Sequence, residues 1–123
     1  MYHHQQVFLP VIRGQELYFL PHYEGDALVE GEYGIQEPVA LEQSAIHVNE
    51  LDVMIVPMVA FDKKCQRLGR GAGYYDRALA EYYRMKTVPT LIGIAYEFQC
   101  VDNLPSDAWD IPMDYVITEK QVY

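Results

Sequence analysis

The 123 residues of this chain carry 18 Asp and Glu against 9 Lys and Arg, a formal net charge of −9, and half of them are apolar. Such a length holds one domain with a modest core, burying roughly two-thirds of the chain's surface, and leaves no room for a second. The acidic balance excludes a general binder of nucleic acid or anionic membrane, which would be repelled everywhere except at a locally basic stretch.

No apolar run approaches the roughly 20 residues of a membrane span, and Met1 to Gln6 lacks both the charged and the apolar part of a secretory signal. Cys65 and Cys100 lack the paired spacing of a zinc site and the density of a secreted disulfide scaffold. Reduced thiols and a cytoplasmic location are expected. His3, His4, His22 and His47 show no metal-ligand spacing and are assigned no role.

In chain order, Val7 to Ile12 and Leu17 to Leu20 are two strand-forming runs around a turn-like Arg13-Gly14-Gln15-Glu16, which predicts a hairpin. From Pro21 to Glu50 the chain is acidic and rich in Gly and Pro, read as a long loop with one short helix, most turn-like at Tyr33-Gly34-Ile35-Gln36-Glu37-Pro38. Val53 to Pro57 is a continuous apolar run of the kind buried on both faces of a parallel sheet, where function gathers at the carboxyl ends of the strands. A loop from Met58 to Gly73 follows.

A helix from Tyr74 to about Arg84 comes next, with Tyr75, Ala78, Leu79 and Tyr82 on its apolar face and Tyr74 free to meet a ligand. Thr90 to Ala95 and Tyr115 to Thr118 read as two further strands. The order strand, loop, helix, strand predicts an α/β fold with a mostly parallel sheet and right-handed crossovers.

The loop entering that helix, Arg67-Leu68-Gly69-Arg70-Gly71-Ala72-Gly73-Tyr74-Tyr75-Asp76-Arg77, alternates glycines between arginines. Positive-φ glycines let successive N–H groups converge on an anion, and arginines add bidentate donors for phosphate oxygens. Between positions 63 and 86 lie seven basic and two acidic residues, a local charge of +5 against −14 for the rest. The pattern is neither a Walker loop, having no Lys-Ser/Thr pair after the last glycine, nor a dinucleotide fingerprint, because position 74 is Tyr. Phosphate binding is the expected chemistry, the bland alternative being a basic strand-to-helix turn.

Asp76, in the first helical turn, either answers the helix dipole or holds Mg²⁺ beside a polyphosphate, an ion that takes one or two protein carboxylates. Asp110 and Asp114 are both candidates for a second carboxylate, and spacing does not choose between them. Tyr23, Tyr33 and Tyr96 are either core residues or platforms for a planar ligand.

Taken together, Asp52 to Pro57, Val59-Ala60-Phe61-Asp62, the Arg67 to Arg77 loop, Ile92 to Tyr96, Gln99, Leu104-Pro105 and Asp110 to Asp114 resemble the 5-formyltetrahydrofolate cyclo-ligase family, with further matches at Leu9 to Ile12 and Tyr33 to Pro38. The resemblance covers nearly the whole chain as one domain. It implies a Rossmann-like three-layer α/β fold and an ATP- and Mg²⁺-dependent cyclisation of 5-formyltetrahydrofolate to 5,10-methenyltetrahydrofolate, with release of ADP and phosphate. The implied partner is a reduced folate, with no nucleic acid and no membrane.

By position, the resemblance places Arg67, Leu68, Gly69, Arg70, Gly71, Ala72, Gly73, Tyr74 and Tyr75 on ATP. It places Tyr33, Arg70, Gly71, Ala72, Gly73 and Tyr74 on the folate, with Arg70 and Tyr74 the catalytic contacts, and Asp76 and Asp110 on Mg²⁺. Cys65 stands where the family often has a turn glycine, Ala72 where glycine or lysine is usual, and Trp109 where histidine is frequent. The 123 residues correspond to the carboxyl-terminal two-thirds of the family domain, whose amino-terminal helical segment adds basic residues at ATP and a Glu at the folate. The alternative expectation is a non-catalytic protein that keeps the phosphate cradle or pairs with another chain.

Overall fold

The computed structural model describes residues 5–31, 34–39, 42–69, 73–105 and 110–123, with Glu42 described by its backbone alone. The chain packs as two compact units, Met1–Val48 and Asn49–Tyr123.

In the first unit, β1 (Val7–Arg13) and β2 (Glu16–His22) pair antiparallel from Val7↔His22 to Arg13↔Glu16. Gly14 turns the two-residue connection at φ +65°, as the first central position of a type II′ hairpin turn requires. The predicted hairpin is present and longer by a residue or two. Val11, Ile12, Phe19 and Leu20 are buried and make its core with Val48.

The stretch read as a long loop holds a second hairpin, β3 (Leu28–Glu30) with β4 (Gln36–Pro38), and a 3-10 turn at Glu42–Ser44. Local composition hides it because distant partners fix it. Glu37 is buried, and its carboxylate accepts Ile12 N–H at 3.1 Å and Arg13 Nη1 at 2.9 Å. A Cβ at Gly31 would lie 2.3 Å from that carboxyl carbon, so only glycine leaves the space.

The second unit is built on a three-stranded parallel sheet in the order β10-β8-β5, where β5 is Val53–Pro57, β8 is Thr90–Ile94 and β10 is Tyr115–Ile117. Val53 pairs with Thr90 and Tyr115 with Ile92, both in parallel register. This is the α/β class expected. Met54, Val56, Leu91 and Val116 fill the core face, each worth roughly 1.5–3 kcal/mol of burial. Burial on both faces does not hold in this chain: Val53 and Ile55 are 51% and 55% exposed, so β5 buries alternate residues only.

The loop predicted between Met58 and Gly73 is partly a small second sheet. In it β6 (Ala60–Asp62) pairs antiparallel with β7 (Arg67–Leu68) and parallel with β9 (Cys100–Val101). Strands of two and three residues fall below what periodicity can register.

The helix is shorter than predicted. Helix α1 runs Tyr74–Ala78, a turn follows, and a 3-10 segment covers Tyr82–Arg84. The ladder tightens from Leu79 N–H on Tyr75 C=O to Ala80 N–H on Arg77 C=O and Tyr82 N–H on Leu79 C=O. Leu79 is fully buried, and Tyr82 donates its hydroxyl to the Pro89 carbonyl at 3.2 Å, which pins the segment to the entry of β8. The apolar face is as read from its spacing for Tyr75, Ala78 and Tyr82, which are half-buried, and for Arg77, Glu81 and Arg84, which are exposed; Tyr74, expected off that face, is as half-buried as Tyr75.

Candidate phosphate and metal site

The site is assembled from Arg67 at the start of β7, Asp76 in the first turn of α1, and Asp110 with Ile111. Register carries Arg67 inward: it faces Phe61 across the β6–β7 pair, and its side chain is only 9% exposed. Nη1 donates to Asp76 Oδ1 at 3.0 Å and Nη2 reaches the Pro57 carbonyl at 3.5 Å. Nε is buried and has no partner among the described residues. A buried guanidinium with an unmatched N–H is costly, and here it borders an open cleft of about 210 Å³ lined by Arg67, Asp76, Leu79, Ala80, Asp110 and Ile111.

Gly73 adopts φ +78°, the left-handed conformation the alternating glycines predict, and its carbonyl accepts the first helical bond from Arg77 N–H at 2.9 Å. A Cβ on Gly73 would meet Arg77 Nη1 at 2.8 Å, and one on Gly69 would meet Arg67 Nη2 at 2.7 Å, so both glycines pass close to guanidinium groups. The Arg77 guanidinium carbon lies 4.9 Å from the Tyr74 ring centroid, a cation–π contact. Leu68 is 51% exposed beside them. Burial pushes the Tyr75 phenol above its ordinary pKa, against a smaller opposing pull from Arg67.

Asp76 projects from the first turn of α1 with its side chain 73% exposed. Asp110 shares its cleft and Asp114 does not. Asp114 accepts Leu91 N–H on Oδ2 at 2.7 Å and donates its own N–H to the Leu91 carbonyl at 2.8 Å, which spends it on joining β8 to β10. Tyr33, Arg70, Gly71, Ala72 and Trp109, together with His3 and His4, lie outside the described residues. Among the remaining tyrosines, Tyr96 is 62% exposed and stacks on Phe98 at 5.6 Å, and Tyr23 is 57% exposed, so neither is core.

Sequence reasoning gave Asp62 no role of its own. It is 2% exposed, its Oδ1 accepts Lys64 N–H at 2.9 Å and Gln66 N–H at 3.1 Å, and its Oδ2 accepts Leu104 N–H at 3.0 Å. It therefore holds the turn that delivers Arg67. The local signal was an Asp two residues before the turn's lysine, the Asx-turn spacing. Gln99 plays a similar part: Nε2 donates to the carbonyls of Met58 at 3.1 Å and Val59 at 2.9 Å, while Oε1 accepts Tyr96 N–H at 2.7 Å. It ties the end of β5 to the end of β8.

The donor set suits a hard cation beside phosphate. Among the described residues no three His, Cys, Asp or Glu side chains cluster as an all-protein metal site would require. Two carboxylates on one cleft, next to a guanidinium whose Nε is unmatched, match an ion that takes most of its ligands from phosphate and water.

The 5-formyltetrahydrofolate cyclo-ligase family model matches residues 1–119. The chain is 39% identical over 112 residues to the 5-formyltetrahydrofolate cyclo-ligase of Haemophilus influenzae, covering 89% of this chain and 59% of that protein. It is 38% identical over 122 residues to the Escherichia coli K12 cyclo-ligase, covering 97% and 66%. The solution structure of Aquifex aeolicus 5,10-methenyltetrahydrofolate synthetase superposes with a TM-score of 0.77 at 42% identity, over 96% of this chain and 57% of that one. The present chain thus spans about three-fifths to two-thirds of the length of these relatives.

Proposed function

The chain belongs to the 5-formyltetrahydrofolate cyclo-ligase family, and we propose that it carries the phosphate and metal part of an enzyme that closes 5-formyltetrahydrofolate to 5,10-methenyltetrahydrofolate at the expense of ATP. The observation that supports this reading most strongly is the buried Arg67 guanidinium, with an unmatched Nε, on a cleft shared by Asp76 and Asp110.

In this reading the formyl oxygen takes the γ-phosphoryl group, the N10 amine attacks the activated carbon and loses its proton, and the carbon–oxygen bond breaks to release phosphate. Phosphoryl transfer asks a protein for positioning and charge neutralisation more than for covalent chemistry. Arg67 supplies a fixed cation, and Leu68, Gly69 and Gly73 let the backbone approach the ATP phosphates. Tyr74 and Tyr75 flank the phosphates, with Arg70, Gly71 and Ala72 completing the loop. Arg70 and Tyr74 are the catalytic contacts, and Tyr33 with the Arg70 to Tyr74 stretch meets the folate. Asp76 and Asp110 hold Mg²⁺, which supplies charge neutralisation on the phosphate oxygens when bound.

The substrates are small molecules, and no described helix is long and apolar enough to cross a membrane. The setting proposed is cytoplasmic one-carbon metabolism. The test follows the absorbance of methenyltetrahydrofolate formed from 5-formyltetrahydrofolate, ATP and Mg²⁺, using this chain and a form extended to the full length of its relatives. Product from the extended form that is lost in Asp76→Asn and Asp110→Asn supports the reading, and no product from the extended form overturns it.

A further inference from the structure

Asp76 already has a partner, and that partner cannot leave easily. Arg67 is anchored in β7, its side chain is only 9% exposed, and its Nη1 lies 3.0 Å from Asp76 Oδ1. The carboxylate's charge is therefore answered before any cation arrives. The guanidinium, in turn, keeps one buried N–H without an acceptor among the described residues.

We propose that the Arg67–Asp76 ion pair makes cation binding in this cleft conditional on an anion. A divalent cation arriving alone meets a carboxylate neutralised by Arg67 and the repulsion of the guanidinium itself. A phosphate group in the cleft offsets the guanidinium charge, leaving Asp76, which shares the cleft with Asp110, to the cation. By linkage the effect is reciprocal: the cation tightens phosphate by the factor by which phosphate tightens the cation. The coupling is on the order of tenfold, the size expected for one unit charge beside a divalent ion in a water-like dielectric. The inference rests on the reading of the cleft as a metal and phosphate site, and it adds an order to it: the separate ions bind weakly, the pair binds well.

The test measures free Mn²⁺ by electron paramagnetic resonance in titrations of the intact chain, with and without inorganic phosphate, corrected for ion pairing in buffer alone. The wild type is expected to bind Mn²⁺ weakly and to tighten roughly tenfold when phosphate is added. Arg67→Gln should bind Mn²⁺ alone roughly tenfold more tightly than wild type and lose the phosphate effect, while Arg67→Lys, which keeps the charge, should stay weak. Adding Asp76→Asn to Arg67→Gln should remove the gain. Mn²⁺ affinity in the wild type that is unchanged by phosphate overturns the conditional device, whether or not Arg67→Gln folds. If Asp76→Asn still weakens that binding, the metal reading survives. Mn²⁺ binding that Asp76→Asn leaves unchanged in every background overturns both.

Discussion

The Asp62 carboxylate accepts the backbone N–H of Leu104 at 3.0 Å, across 42 residues of sequence. Its other oxygen closes the Lys64 to Gln66 turn, so one buried anion joins the strand before the glycine loop to the segment that leads to Asp110. Asp62→Asn replaces one acceptor oxygen with an amide that faces an N–H donor. The expected loss is about 2–4 kcal/mol, from one charge-assisted bond and one unsatisfied donor. Urea denaturation measures it, and a change below about 1 kcal/mol would show that the carboxylate does not hold the turn.

Cys65 occupies φ +65°, where an L side chain costs roughly 1–2 kcal/mol. Glycine would take up this conformation without that cost. Cys65→Gly relieves the strain but surrenders a buried side chain, so its stability should fall within about 1 kcal/mol of the parent. Cys65→Val, β-branched at positive φ, should lose about 2 kcal/mol or more. Thermal melts of the two variants separate these outcomes, and equal melting points would remove the strain argument.

Gly93, buried in the central strand β8, lies against Met58 and Met113: an added Cβ would sit 2.1 Å from Met58 Cε and 3.3 Å from Met113 Cγ. The Met58 terminus can swing aside, but the Met113 Cγ methylene, close to its own backbone, has less room. Gly93→Ala should destabilise by about 1–3 kcal/mol through overpacking, and Gly93→Val by more. Denaturant midpoints check the order. Parity between Gly93→Val and the parent would mean the core is looser than the contacts indicate.

The carboxyl terminus is clasped by Glu97, which accepts hydrogen bonds from the Tyr123 hydroxyl, Thr118 Oγ1 at 2.7 Å and Gln121 Nε2 at 3.3 Å. The Tyr123 bond leads in holding the Glu97 carboxyl below its ordinary value of 4.5, and the same bond leads in raising the Tyr123 phenol above 10. A depressed carboxyl pKa gives stability present above 4.5 and lost as pH falls through the folded value. A raised phenol pKa gives stability present below 10 and lost as pH climbs through its folded value. The clasp should therefore be intact at neutral pH and loosen at both extremes. Tyrosine near-ultraviolet circular dichroism of the parent and of Tyr123→Phe reports it, and an identical acid limb in the two would sink the assignment.

Asp76 and Asp114 should respond oppositely to the same chemical change. Asp114→Asn alters the carboxylate that accepts Leu91 N–H and should cost about 1–3 kcal/mol of stability. Asp76→Asn alters an exposed partner of Arg67 and should cost under about 1 kcal/mol, while weakening cation binding in the cleft. Paired melts and Mn²⁺ titrations test the contrast. A larger stability loss for Asp76→Asn would assign it a structural role.

What the chain declares by itself are features carried by a few consecutive residues. The apolar runs of β5 and β8, the positive φ demanded at Gly73, the hairpin turn around Gly14 and the concentration of arginines around the glycines are all local, because backbone conformation and charge density are set by near neighbours. Tertiary structure decided the rest. The β3–β4 hairpin depends on Glu37 reaching Ile12 and Arg13, and the β6–β7–β9 sheet on strands too short to show a period. Asp110 rather than Asp114 lies in the cleft because Asp114 is bound to strand β8, and Arg67 meets Asp76 because β7 turns it inward. These rest on partners apart in sequence, Phe61 with Cys100 and Glu37 with Ile12 among them, and composition carries no record of which distant donor a carboxylate will find.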